Sequence, residues 1–228
     1  VELTGMNVLA RVARRIGDRS DIHVQAYFDR YDRDERVLFQ PEADIFDIEF
    51  QHAIPSGSHR ILWGGGYRQG EDDVEPGFFA TFVPDRRKLR WENLFVQDEI
   101  RLAGNLEATF GLRLESNDYT GTEHLPSVRL AWKPSGKRLL WTSLSRAVRA
   151  PSRYDKEVFF PAPPNSIVIG GPRLKSEVAN IFELGYRAQP SSSLSYSITA
   201  FYHDWDKLRS GTAIPVEFEN KIEGPVYG

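Results

Sequence analysis

A chain of 228 residues with a net charge of −3, acids and bases interspersed along it, lacks the basic excess that a phosphate backbone attracts, so nucleic acid is not an expected partner. With no cysteine it can have no disulfide staples, thiol catalysis or thiolate metal sites. Its uncharged apolar stretches fall far short of the roughly 20 residues that a spanning helix needs, and its even composition offers no place to cut, so residues 1–228 are read as one unit.

Val1 to Ala10 lack the basic region, apolar run and cleavage site of an export signal, so a removed signal or an earlier beginning is expected. The dominant pattern from there on is a two-residue hydrophobic period. A first strand is expected at about residues 6–14. The second sets Ile22, Val24, Ala26 and Phe28 against His23, Gln25, Tyr27 and Asp29; the third sets Phe46, Ile48 and Phe50 against Asp47, Glu49 and Gln51. Strands at about 59–68 and 89–102 follow. The clearest alternation comes next: Leu106, Ala108, Phe110, Leu112 and Leu114 against Glu107, Thr109, Gly111, Arg113 and Glu115. Successive side chains of a strand point to opposite sides, so this segment has one apolar and one charged face. Further strands are expected at about 124–132, 138–149, 176–188 and 194–205, with a weak last one near 215–221. The result is an all-β, antiparallel up-and-down meander of about eleven strands with no helix.

The connections alternate in length. Short ones at Gly17 to Arg19, Pro55 to Ser58, Ala103 to Asn105, Pro134 to Lys137 and Pro190 to Ser193 carry the Gly, Pro, Asn or Ser of tight turns. Longer ones lie at about 32–43, 69–87, 117–123, 150–175 and 207–214. In a meander all the short turns share one rim and all the long loops the other, which is the asymmetry of transmembrane barrels. Several strands also reach the roughly nine to eleven tilted residues that cross a bilayer. The competing reading is a soluble β-sandwich, such as a carbohydrate-binding module, suggested by five Trp and nine Tyr; it requires the apolar faces of two sheets to meet in a dry core. Two residues strain the barrel reading. Asp98 falls on the face of Leu94, Val96 and Ile100, and Asn180 on that of Val178, Phe182 and Leu184, so either the register shifts or these positions sit near a rim.

Ordered strings then point to a family. LFVQDEI at Leu94 to Ile100, GLRLESNDYTG at Gly111 to Gly121, PSVRLAW at Pro126 to Trp132, WTSLSRAVRAPSRYD at Trp141 to Asp155 and SEVANIFELGYR at Ser176 to Arg187 resemble barrel strands of TonB-dependent outer-membrane receptors. FYHDWDKL at Phe201 to Leu208 and the final GPVYG resemble strands that follow in such receptors. The resemblance implies part of a barrel of about twenty-two strands, filled by an N-terminal plug that contacts the energy-transducing TonB complex. Neither that plug nor a terminal aromatic is recognised, so an internal fragment is expected, with two unpaired edges. By the same resemblance the parent protein imports a ferric siderophore or similar metal chelate across the outer membrane of a Gram-negative bacterium, with lipid around it. It is not expected to be an enzyme or to hold a cofactor.

The candidate site residues follow from composition and place. His23, His52, His59, His124 and His203 are scattered without metal-site spacing, and no serine stands in a nucleophile elbow. Gly64 to Gly66 continue a strand pattern instead of opening a helix, so close packing or a kink explains them better than a phosphate loop. Asp47, Glu49, Glu107, Arg113 and Glu115 are expected to line the lumen and bond to one another. Aromatics and arginines coincide in two long loops, Phe78, Phe79, Phe82, Arg86 and Arg87 in one and Tyr154, Phe159 and Phe160 in the other. Such platforms suit anionic chelates through stacking and charge, although loops packing on each other at the rim would use the same residues. Arg149 and Arg153 lie where a strand becomes a long loop, either as strand-end residues or as ligand contacts.

Overall fold

The computed structural model describes residues 1–17, 20–35, 37–161 and 166–211. In chain order the elements are β1 (Glu2–Ile16), β2 (Ser20–Asp34), β3 (Phe39–Ser56), β4 (His59–Pro76), β5 (Thr81–Phe82), β6 (Arg86–Ala103), β7 (Leu106–Asn117), β8 (Gly121–Ser135), β9 (Arg138–Arg149), α1 (Arg153–Glu157), β10 (Val158–Phe160), β11 (Val168–Ile169), β12 (Glu177–Ala188) and β13 (Tyr196–Asp206). Ten of the strands form one antiparallel meander in the order β1-β2-β3-β4-β6-β7-β8-β9-β12-β13, and β11-β10-β5 form a small separate sheet among the long loops. The strand expected near 215–221 lies outside the described residues.

Directly paired residues in an antiparallel ladder project from the same face, so the register shows what each face is made of. Val12, Val24 and Phe50 stand abreast, as do Trp63, Val96 and Leu112. Phe110, Val128, Leu144, Phe182 and Tyr202 form one row, and Leu106, Trp132, Leu140, Tyr186 and Ile198 another. These rows make an apolar belt, and among the described residues nothing covers it: Phe110 is 48% exposed and Leu112 43%. Burying one large apolar side chain is worth about 1.5–3 kcal/mol, so a soluble protein would not leave such rows wet. That exposure removes the sandwich, which needed these residues inside a dry core. The buried apolar cluster of Val74, Phe82 and Val158, with Phe39 against it, sits among the loops instead.

The opposite face is polar and bonded to itself. Arg11 donates to Gln25 at 2.7 Å, Arg68 to Asp47 at 2.8 Å, Ser143 to Glu183 at 2.9 Å and Lys133 to Glu107 at 3.2 Å. This is the division of a barrel wall between lipid and lumen.

Neither awkward residue is moved off this face by a shift of register. Pairing of β6 with β7 stays regular through Asp98, opposite Phe110, and slips only beyond Arg101. Asp98 Oδ2 lies 2.7 Å from Nδ1 of His59, the first residue of β4 after the short turn at Gly57. Asn180 stands between Arg146 and Asp204, a polar row that ends the belt on the long-loop side.

The loops differ from expectation in extent. β2 continues to Asp34, β3 begins at Phe39, β4 continues to Pro76 and β8 begins at Gly121, so much of the expected loops 32–43, 69–87 and 117–123 is paired strand. Above the belt the apolar period stops but cross-strand charge pairs hold the ladder together: Arg86 meets Glu71 at 2.5 Å, and Arg30 pairs with Glu42. The expectation of no helix is also corrected by α1. Its five residues are too few to show a helical period, but Ser152 and Asp155 form a capping box at its start.

Candidate ligand-capture site at the long-loop rim

Four connections converge above the long-loop rim: residues 77–85, residues 118–120, residues 150–161 with 166–176, and the segment 207–211 after β13. The first and third are joined as a sheet, Val158 pairing with Phe82 and Phe159 with Thr81. Under this sheet Phe82 is buried, edge-on to Phe39 with ring centroids 5.3 Å apart and to Tyr154 at 6.5 Å.

The expected site residues separate into two groups. Phe82 and Arg153 turn inward. Arg153 is only 8% exposed; its guanidinium meets Asp72 at 2.6 Å and Glu157 at 3.1 Å, donates to the carbonyls of Pro84 and Asp85, and lies 5.0 Å from the Phe82 ring centre. Arg87 pairs with Glu157 at 3.3 Å, Arg86 with Glu71, and Arg149 with Glu177 at 3.0 Å, so these cations are engaged with carboxylates. Phe78 and Tyr154, by contrast, are 78% and 60% exposed. Phe79 bridges Phe78, at 4.8 Å and perpendicular, to Phe160, at 6.0 Å and stacked, giving a continuous aromatic surface. Phe159 is intermediate in exposure and contributes its backbone to the small sheet. On the polar face beneath, a cavity of about 670 Å³ is lined by Tyr31, Arg33, Phe39, Asp72, Arg153 and Tyr154.

Tyr119, in the turn between β7 and β8, was not anticipated as part of this assembly. Arg87 lies 5.8 Å and Lys156 5.1 Å from its ring centre. Burial, reinforced by the charge of Glu157, pushes its phenol well above the ordinary value, so it remains neutral at physiological pH. The string GLRLESNDYTG that contains it marks a strand and its turn, not a site; only the fold brings Tyr119 to the two cations.

Glu177 opens β12 above the apolar belt. Its carboxylate accepts from the Arg209 backbone N–H at 2.8 Å and from Arg149 at 3.0 Å, and these bonds, the backbone one foremost, hold its acid below the ordinary value. A carboxyl depressed in the folded state stabilises it above the unfolded pKa, and that contribution fades as pH falls through the folded value. Protection of the Arg209 amide from hydrogen exchange is therefore expected to be full at neutral pH and to fall only as pH drops below the ordinary carboxylate range. Unchanged protection down to a pH of about 2 would mean that Glu177 does not anchor this segment.

The family model for the TonB dependent receptor-like beta-barrel matches residues 9–215. The iron-regulated outer membrane virulence protein of Vibrio cholerae serotype O1 is 25% identical over 208 residues, covering 87% of this chain and 30% of that protein. The probable TonB-dependent siderophore receptor PirA of Acinetobacter baumannii is 23% identical over 200 residues, covering 79% and 26%. The chain thus spans under a third of the length of these relatives. Among solved structures, a G324V mutant of the ferric enterobactin receptor PfeA of Pseudomonas aeruginosa superposes with a TM-score of 0.70 at 17% identity, over 89% of this chain and 34% of that one. The copper transporter OprC gives 0.68 at 13% identity, over 88% and 38%. These structures share the fold: their strands make the same antiparallel wall. With its apolar belt, its polar inner face and a family match over nearly its whole length, the chain belongs to the TonB-dependent receptor-like β-barrel family.

Proposed function

We propose that this chain forms a wall of an outer-membrane receptor that captures a metal chelate, most simply a ferric siderophore, and imports it with energy supplied through TonB. The observation that carries this reading is the exposed aromatic surface of Phe78, Phe79, Phe160 and Tyr154, held on a folded loop body above a belted sheet. Exposed aromatic faces suit flat chelates through stacking, and the cavity beneath offers a recess of ligand size. In this account Phe82 and Arg153 build the loop body and the exposed aromatics touch the ligand. The outer edges of β1 and β13, unpaired among the described residues, would pair with further strands to close a cylinder of about twenty-two, set in the lipid of a Gram-negative outer membrane and filled by a plug that meets TonB.

Deleting Pro151 to Arg173 tests the reading. Cells that depend on the receptor for ferric siderophore are expected to lose both binding and uptake while the barrel remains in the membrane. Undiminished growth on every chelate tested would set the reading aside.

A further inference from the structure

The five-residue helix α1 is small, yet each of its turns of side chain reaches a different loop. Arg153 ties it to β4 through Asp72 and to the 77–85 loop through the carbonyls of Pro84 and Asp85. Glu157 ties it to β6 through Arg87, and its carbonyl accepts the Val83 N–H at 2.9 Å. Lys156 lies on the Tyr119 ring of the 118–120 turn and donates to the Leu174 carbonyl at 3.3 Å. Asp155 pairs with Arg209 beyond β13 and lies 3.9 Å from Arg149 at the end of β9. The return leg of its own loop presses onto it as well: Gly171 N–H donates to the Asp155 carbonyl at 2.8 Å, and a Cβ on Gly170 would come within 2.5 Å of the Lys156 carbonyl carbon.

We infer that α1 is a keystone that makes four loops move as one body, with Arg153 as its central tie. Charged groups this buried are stable only while every partner is in place, so the assembly has a joined state and a released state and little between them. Arg153 and Asp72 also line the cavity, as does Tyr154, next to Arg153 in the helix and 60% exposed. A contact at the surface or in the cavity is thereby passed to all four loops. The coupling goes beyond ligand capture and rests on the contacts alone, so it can stand or fall independently of which ligand, if any, these loops take.

The test is hydrogen exchange on the ligand-free protein in detergent micelles, comparing the native chain with Arg153→Met, which keeps the length of the side chain and removes its charge. Exchange is expected to rise together by at least about tenfold at Val83, Tyr119, Gly171 and Arg209, with the belt strands at Phe110 and Val128 unchanged. A rise confined to residues 150–176, or no rise, would overturn the inference. Should Arg153→Met fail to assemble, Asp155→Asn gives a second reading from the other side of the helix. Loosening that spreads from Arg209 to Val83 supports the keystone, and loosening at Arg209 alone refutes it.

Discussion

Val128→Arg is expected to cost the assembled protein about 2–4 kcal/mol, because it places an unpartnered charge in the apolar belt that the proposed function sets in lipid. Val128 stands between Phe110 and Leu144 in the register, and along β8 between Leu130 and Pro126. No carboxylate is paired with it in either neighbouring strand. The adjacent residue gives the contrast. Arg129 faces the other way, opposite Thr109 and Ser143, and Arg129→Ala is expected to change stability by no more than about 0.5 kcal/mol. Urea unfolding from micelles or lipid vesicles would measure both. Equal costs at the two positions would mean that the faces have been misassigned.

Gly64→Val is the other large effect. Gly64 lies on the polar face between Gln51 and Phe95, where a Cβ would collide with the Phe50 carbonyl oxygen and come within 2.8 Å of Phe95 Cζ. A backbone carbonyl held in a ladder cannot step aside, so the cost should reach the upper end of overpacking penalties, about 3 kcal/mol. Gly136, in a short turn with nothing within 4 Å of its would-be Cβ, serves as the control, and Gly136→Ala should leave the unfolding midpoint unmoved. A tolerated Gly64→Val would mean that β3, β4 and β6 do not pack as described. This close approach is the physical content of the glycine run at 64–66, whose place inside a strand was legible because Trp63 and Tyr67 flank it.

How far the sequence could be read follows from what generates a periodic signal. The belt strands were legible because a wall that is apolar on one face and polar on the other forces strict alternation, as at Leu106 to Glu115. Above the belt both faces meet polar surroundings, the alternation ends, and strand continues unseen to Asp34 and Pro76 on the strength of ladder bonds and charge pairs. The positions of Asp98 and Asn180 were recognisable as exceptions; only the register and contacts show that Asn180 falls in a polar row with Arg146 and Asp204, and that Asp98 stays in the row of Phe110 with His59 as its partner.

Within the candidate site, the loops that carry it were identifiable, since aromatics and arginines coincide there, but the division of labour was not. Arg153 and Arg149 look alike as rim arginines. One is buried against carbonyls 69 and 68 residues away, and the other is largely in solvent. Contacts over such separations leave no local trace, and neither does the convergence of Arg87 and Lys156 on Tyr119.

The central claim is that one face of this sheet meets lipid and the other meets water. Because the chain has no cysteine, single thiols can be placed cleanly at neighbouring positions, Val128→Cys and Arg129→Cys, in the protein reconstituted into vesicles. A fluorophore on the first is expected to be quenched by nitroxide lipids and shielded from iodide, and one on the second to show the reverse. Both positions open to iodide and silent to the nitroxide lipids would contradict the membrane wall on which the whole account stands.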